Sequence, residues 1–184
     1  LKETVIGFSR DLESDNIDAR LGLVEYRDER IDEPTIGHGF APEVVTFRKW
    51  ISGLSAAGGG DEPESAIDAL SQAALMPFRS GSTRMVTLIT DASYHEPGEN
   101  GFMMEDVIRE FQSKKIVGYV IGPSLAGYTK LADAMGGLHF DISSDPAEFR
   151  RIIRSLGKSI SETVPRISDI RSARDAALGR TKIW

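Results

Sequence analysis

Two carboxylates, Asp61 and Asp91, are the residues of this sequence best suited to bind a metal ion. Asp61 follows three glycines, which let a ligand approach the backbone closely, and it precedes a helical pattern. Asp91 follows the apolar run 84–90, and ligands of doubly wound sheets bind outside the carboxyl ends of the strands. Because Mg²⁺ prefers oxygen ligands, the two aspartates predict a magnesium-type site.

Helix capping is the competing interpretation of Asp61. Asp61 as N-cap, Pro63 in the first turn and Glu64 three residues after the cap form an Asp-led capping box for a helix over 64–75. Glu64 is then the capping partner, and Glu62 is a solvated side chain. Only the pairing with Asp91 favours the metal interpretation over capping.

Ser93 and His95, together with Glu64, are candidates for contacts around the ion rather than for ligands. Both follow Asp91 in the same loop, although a loop histidine is more often simply solvated. The chain has no histidine pair at helical metal-ligand spacing, and its glycine loop lacks the Lys-Ser/Thr of a phosphate loop. No serine lies in a nucleophile-elbow pattern.

Helices and strands alternate along the chain. Apolar spacing predicts helices over 1–12, 42–54, 64–75, 104–113 and 128–135, and a further helix from 145 onward. Strand-forming runs occupy 19–27, 35–40, 84–90, 116–121 and 138–142. The run 84–90 is continuously apolar, so we place it in the sheet interior. The alternation predicts an α/β fold with a parallel sheet covered on both faces.

Composition narrows the class of protein. A length of 184 residues predicts one domain, which we assign to residues 1–163, with 164–184 as a C-terminal extension or linker. The net charge of −6 and the lack of a basic cluster with interleaved aromatic residues argue against nucleic-acid binding. No apolar run approaches the roughly 20 residues of a membrane span.

The stretch GGGDEPESAIDAL, followed by VTLITDA, resembles the von Willebrand factor A (vWA) domain in its bacterial GGGDxPE variety, over roughly residues 1–157. The resemblance implies a Rossmann-like, doubly wound, mostly parallel sheet with helices on both faces. It also implies a metal-ion-dependent adhesion site, in which Asp61 takes the position of a family threonine and Asp91 that of the aspartate after the fourth strand. The implied cofactor is Mg²⁺, or Mn²⁺ or Ca²⁺, with an open position that an Asp or Glu of a protein partner fills.

One family motif, Asp-x-Ser-x-Ser after the first strand, does not occur in this sequence. The opening residues LKETV resemble the middle of the first family helix, so we expect the first strand, which is central in the family's sheet, to be absent from this chain. An upstream segment or another chain is then expected to complete the sheet. With Asp61 and Asp91 alone, we expect weak or no ion binding by this chain.

The expected function is that of a protein-binding module rather than an enzyme. The resemblance leaves a second possibility, a regulatory subunit of a nucleotide-driven (AAA+) chaperone- or chelatase-like machine. A metal-dependent hydrolase, with the two aspartates as its acid/base pair, is the third and least favoured.

Overall fold

The computed structural model describes residues 2–28, 30, 34–55, 62–141, 151 and 153. Within them the helices are α1 (Lys2–Ser14), α2 (Val44–Gly53), α3 (Ala66–Ala74), α4 (Met104–Lys114) and α5 (Ala126–Ala134). The strands are β1 (Gly22–Glu25), β2 (Ile36–Phe40), β3 (Arg84–Ile89), β4 (Ile116–Gly122) and β5 (His139–Asp141). Gly58 to Asp61 and the predicted extension 164–184 lie outside the described residues, as does the predicted helix from 145 except for Arg151 and Ile153, which are helical.

The strands form two small sheets. β3, β4 and β5 pair in parallel in that order, whereas β1 and β2 form an antiparallel pair. Helices connect the parallel strands, as they must, because a parallel connection has to return the chain to the same end of the sheet. The α/β, Rossmann-like class with mostly parallel strands is thus confirmed.

The main core lies between the parallel sheet and helices α3, α4 and α5. Its fully buried members include Ile67 of α3, Phe111 of α4 and Val120 of β4. Neighbouring residues of β3 point to opposite faces: Leu88 belongs to this core, and Ile89 packs with Phe8 of α1 in a separate cluster. Helices therefore cover both faces of the sheet, which explains why β4 is an almost continuous apolar run.

Among the described residues, β1 and β3 are separated by about the width of one strand, and we call this space the strand slot. Just beyond the carboxyl ends of both strands, residues 64–65 lie between them: the Ser65 amide donates to the Arg27 carbonyl (2.9 Å) and the Glu64 amide to the Ser93 carbonyl (3.0 Å). One segment that bonds to both sides implies a separation of about 10 Å, twice the usual strand spacing. β1 and β3 therefore run toward the same end of the fold.

Helices enclose the strand slot from both faces. α3 contacts both β1 and β3 on one side. On the other side, α1 places Ile6 in a cluster with Leu23 of β1, and Phe8 in the cluster that contains Ile89 of β3. Among the described residues, β1 pairs only with β2 and β3 only with β4, so the two edges that face the slot have no strand partner there.

The direction of one amide identifies the backbone groups that face the strand slot. The Thr90 amide donates to the Ile121 carbonyl, toward β4. Because backbone groups alternate in direction along a strand, the N–H and C=O groups of Met85, Thr87 and Ile89 point away from β4, toward the slot.

Several sequence-based boundaries and one placement were wrong. β3 is half-buried rather than interior, because the described residues supply a neighbour on only one of its edges. α2 begins at Val44 with Glu43 as N-cap, so Pro42 precedes the helix instead of starting it. The strand predicted over 19–27 shortens to β1, and α5 begins two residues earlier than predicted.

Within the described part of the chain, no helix combines the length and the apolarity needed to cross a lipid bilayer.

Candidate functional site

Asp91 lies at the carboxyl edge of the sheet, two residues beyond the end of β3, and its side chain is exposed. The residue after it is fixed from two sides. The Ala92 amide donates to the Thr90 hydroxyl (3.2 Å), and the Tyr128 hydroxyl donates to the Ala92 carbonyl (3.2 Å). The loop thus presents the Asp91 carboxylate to solvent from an anchored backbone.

The segment that follows Asp61 pairs with the loop that follows Asp91. Glu64 and Tyr94 form a parallel bridge, in which the Glu64 amide donates to Ser93 and the His95 amide donates to the Glu64 carbonyl (2.9 Å). The Ser93 amide also donates to the Glu62 side chain (2.9 Å). The immediate neighbour of Asp61 therefore touches the loop of Asp91, although Asp61 itself lies outside the described residues.

This pairing corrects the capping interpretation. α3 begins at Ala66 with Ser65 as N-cap, so Glu64 is not the third residue of a helix capped by Asp61. Glu62 is exposed, but its carboxylate accepts the Ser93 amide and is not merely solvated. Three hydrogen bonds join residues 62–64 to residues 93–95 and hold the two loops together.

His95 is buried and bonded to an aspartate that the sequence analysis did not single out. Its Nε2 lies 3.0 Å from Oδ1 of Asp28, and the two side chains are only 7% and 1% exposed. The same oxygen accepts the Arg30 amide (2.9 Å). The pair joins the chain after β1 to the loop after β3, so His95 anchors the loop and is not a solvated side chain.

Asp28 was missed because the sequence around it, Arg27 to Arg30, is simply charged and breaks the strand pattern. One signal was available: Asp28 and His95 each follow a predicted strand, and strand ends meet at one edge of the sheet. Of the two carboxylate oxygens, Oδ2 is buried and has no hydrogen-bond partner among the described residues.

Two tyrosine hydroxyls lie beneath the Asp91 loop, around Thr90. Burial raises the pKa of Tyr128, and the nearby Tyr26 hydroxyl raises it further, while a hydrogen bond with Thr90 lowers it. Burial likewise raises the pKa of Tyr26, with further upward contributions from the Glu64 and Asp91 carboxylates. The two carboxylates therefore lie within electrostatic reach of one phenol, which supports a compact site.

The donor atoms at this edge are hard oxygens: the Asp91 carboxylate, the Ser93 hydroxyl and the Glu62 carboxylate. They match the preference of Mg²⁺, which commonly keeps several waters and takes one or two carboxylates from the protein. Among the described residues, no group of three or more His, Cys, Asp or Glu side chains is arranged to hold an ion. Asp61, the other sequence-predicted donor, lies outside those residues.

A surface cleft of about 500 Å³ adjoins the Asp91 loop. Ser93, Tyr94 and His95 form one wall, and the first turn of α5, around Gly127, forms another. The Tyr94 ring lies against Gly127 and packs on Tyr128 with ring centroids 5.0 Å apart. The cleft gives a bound partner a concave surface beside the exposed carboxylate.

Comparison with solved structures finds a likeness to the crystal structure of an aerotolerance-related membrane protein from Bacteroides fragilis NCTC 9343 with multiple mutations to serines. The TM-score is 0.58 and the sequence identity 14%, and the match covers 86% of this chain and 88% of that chain. At this identity the likeness shows the fold alone, and that fold agrees with the α/β, Rossmann-like architecture described above. No protein-family model matches the chain, and no curated protein matches it in sequence.

Proposed function

We propose that this chain is a vWA-type interaction module that binds a protein partner through a Mg²⁺-type ion held by Asp61 and Asp91. The observation that supports this most is the bridge between residues 62–64 and residues 93–95, which brings the two motif segments together at the carboxyl edge. Asp91 is exposed there, beside a cleft. We also propose that the module binds a protein and does not catalyse a reaction.

The described residues would have distinct roles in such a site. Asp91 supplies a carboxylate ligand, and the bond between the Ser93 amide and Glu62 holds its loop beside the Asp61 segment. His95, bonded to Asp28, fixes the far end of the same loop. When bound, the ion offers an open position to a carboxylate of the partner, which is the chemistry that the two aspartates alone cannot supply.

A further part of the proposal concerns the strand slot. Unpaired backbone groups are costly when helices enclose them on both sides, as α1 and α3 do here. We therefore propose that a strand from an upstream segment or from another chain occupies the slot. It would be about four to six residues long, matching β1 and β3, and apolar on both faces.

Calorimetry with Mg²⁺ and Mn²⁺ tests the ion site. We expect weak binding by this chain alone, and tighter binding when a segment carrying Asp-x-Ser-x-Ser precedes it. Asp91→Ala should abolish the binding, whereas Asp133→Ala, which removes an exposed carboxylate of α5, should not change it. Equal affinity in the parent chain and Asp91→Ala would disprove the site assignment.

A further inference from the structure

Met103 occupies the N-cap position of α4, the residue at which this helix begins. Its own amide donates to Oδ2 of Asp106 (2.8 Å), which is one half of a capping box. The other half falls to the Met103 side chain, whose thioether sulfur is placed to accept the Asp106 amide but accepts hydrogen bonds only weakly. The start of α4 therefore has the geometry of a capping box with a poor acceptor in one of its two positions.

The carboxylates of the first turn of α4 do not replace that acceptor. Asp106 bonds to the Met103 amide and pairs with Arg109. Glu105 pairs with Lys130. The Asp106 amide donates to the Met103 carbonyl (2.9 Å), and amides at helix termini commonly share a second acceptor in a three-centre bond. A stronger acceptor on the Met103 side chain would therefore find this amide available.

Met103 is also the most accessible methionine of the chain, at 43% exposed. The other four methionines are buried or half-buried: Met76, Met85, Met104 and Met135. Met103 belongs to none of the apolar clusters of the described residues. An oxidant in solution therefore reaches the Met103 sulfur first, and a more polar side chain at this position disrupts no cluster of the core.

We propose that Met103 is a reversible oxidation site, at which a peroxide converts a weak cap of α4 into a strong one. The sulfur attacks one peroxide oxygen, so that the S–O bond forms and the O–O bond breaks. The hydroxyl proton of the transferred oxygen passes to the leaving oxygen, which departs as water or an alcohol. The sulfur is oxidised by two electrons and the peroxide is reduced by two, giving methionine sulfoxide. The chemistry needs no metal and is independent of the proposed ion site.

The expected effect on stability is opposite to the usual effect of methionine oxidation. In a core, sulfoxide formation disrupts packing and destabilises the fold. At this exposed cap, the sulfoxide oxygen accepts the Asp106 amide, and a good N-cap side chain stabilises a helix. α4 packs in the main core through Val107 and Phe111, so a firmer helix start should stabilise the fold as a whole.

The experiment treats the folded protein with a low dose of hydrogen peroxide in EDTA, locates the added oxygen by peptide mass spectrometry and measures stability by thermal melts. We expect Met103 to be oxidised first, and the singly oxidised protein to melt about 2–4 °C higher than the parent chain. Hydrogen exchange of the Asp106 amide should slow. A methionine sulfoxide reductase should return Tm to that of the parent chain.

Two variants separate capping from other effects of the oxidant. Met103→Gln places an amide oxygen the same number of bonds from the backbone as the sulfoxide oxygen, so it should raise Tm without peroxide. Met103→Leu offers no acceptor and no sulfur, so it should melt like the parent chain both before and after the same treatment. Earlier oxidation of another methionine, a Tm that falls or stays unchanged when Met103 is oxidised, or Met103→Gln melting no higher than Met103→Leu would overturn the proposal.

Discussion

Asp28→Ala should destabilise the fold strongly, because the buried Asp28–His95 pair, which we call the clamp, joins the chain after β1 to the loop after β3. The side chain is 1% exposed and accepts two hydrogen bonds, from His95 Nε2 (3.0 Å) and from the Arg30 amide (2.9 Å). Alanine offers no acceptor to either donor, and His95 is too buried to bond to water instead, since its side chain is only 7% exposed. The substitution therefore leaves a buried donor unsatisfied as well as removing two bonds.

The expected loss is about 3 kcal/mol of the free energy of unfolding, since two net bonds contribute roughly 1 kcal/mol each and an unsatisfied buried donor costs at least about as much again. For a chain of this length that corresponds to a fall in Tm of roughly 6–12 °C. Asp28→Asn keeps an acceptor oxygen for both donors, so its cost should be about 1 kcal/mol.

Urea unfolding followed by far-UV circular dichroism measures these differences, provided that the slope with denaturant is unchanged. Asp11→Ala on the exposed face of α1 is the control, and it should stay within about 0.5 kcal/mol of the parent chain. If Asp28→Ala cost no more than Asp28→Asn, the clamp would not hold the two parts of the fold together.

Three further predictions follow from single positions. Burial raises the pKa of the Tyr128 hydroxyl above the unfolded value near 10, so the folded protein retains this proton at pH values where the unfolded chain has lost it. The free energy of unfolding should therefore fall above pH 10 by up to about 1.4 kcal/mol per pH unit. Tyr128→Phe should reduce that slope, as measured by urea midpoints from pH 9 to 11. Thr87→Pro removes an amide that faces the strand slot, whereas Val86→Pro removes an amide that bonds to β4. Val86→Pro should therefore be the more destabilising by about 2 kcal/mol in the same assay. If Thr87→Pro were the more destabilising, the assignment of which β3 amides face the slot would be wrong. Gly98→Ala meets a buried carboxylate and should destabilise by about 1–3 kcal/mol, whereas Gly53→Ala in α2 meets nothing within 4 Å and should be neutral or stabilising by up to about 1 kcal/mol in thermal melts.

Local patterns predicted the elements of the fold well. The apolar spacing of Val107, Ile108 and Phe111 predicted α4, and the structure buries all three. The apolar run 116–121 predicted a strand, and β4 occupies it with a neighbour on each side. These predictions hold because each depends on residues close in sequence, whose common face must be buried together.

The sequence-based predictions failed where contacts between residues distant in sequence determine the structure. The apolar sequence of β3 is typical of an interior strand, yet the strand is only half-buried. Burial depends on having a neighbouring strand on each side, which the composition of β3 itself does not reveal. Glu64 resembled a helix-capping residue, but its backbone pairs with Tyr94, 30 positions away. Asp28 and His95 are 67 positions apart, and no local pattern links them. At the candidate site, the sequence identified the two segments but not the contacts that hold them together.

The most direct test of the central claim is paramagnetic broadening of amide resonances by Mn²⁺ at substoichiometric concentration, which detects even weak ion binding. If the two motif segments form one site, the amides of Glu62 and Ser93 should broaden together, and Asp91→Ala should abolish both effects. Leu75, at the end of α3, should remain sharp. Broadening of Ser93 without Glu62, or equal broadening around exposed carboxylates such as Asp11 and Asp133, would contradict a shared ion site.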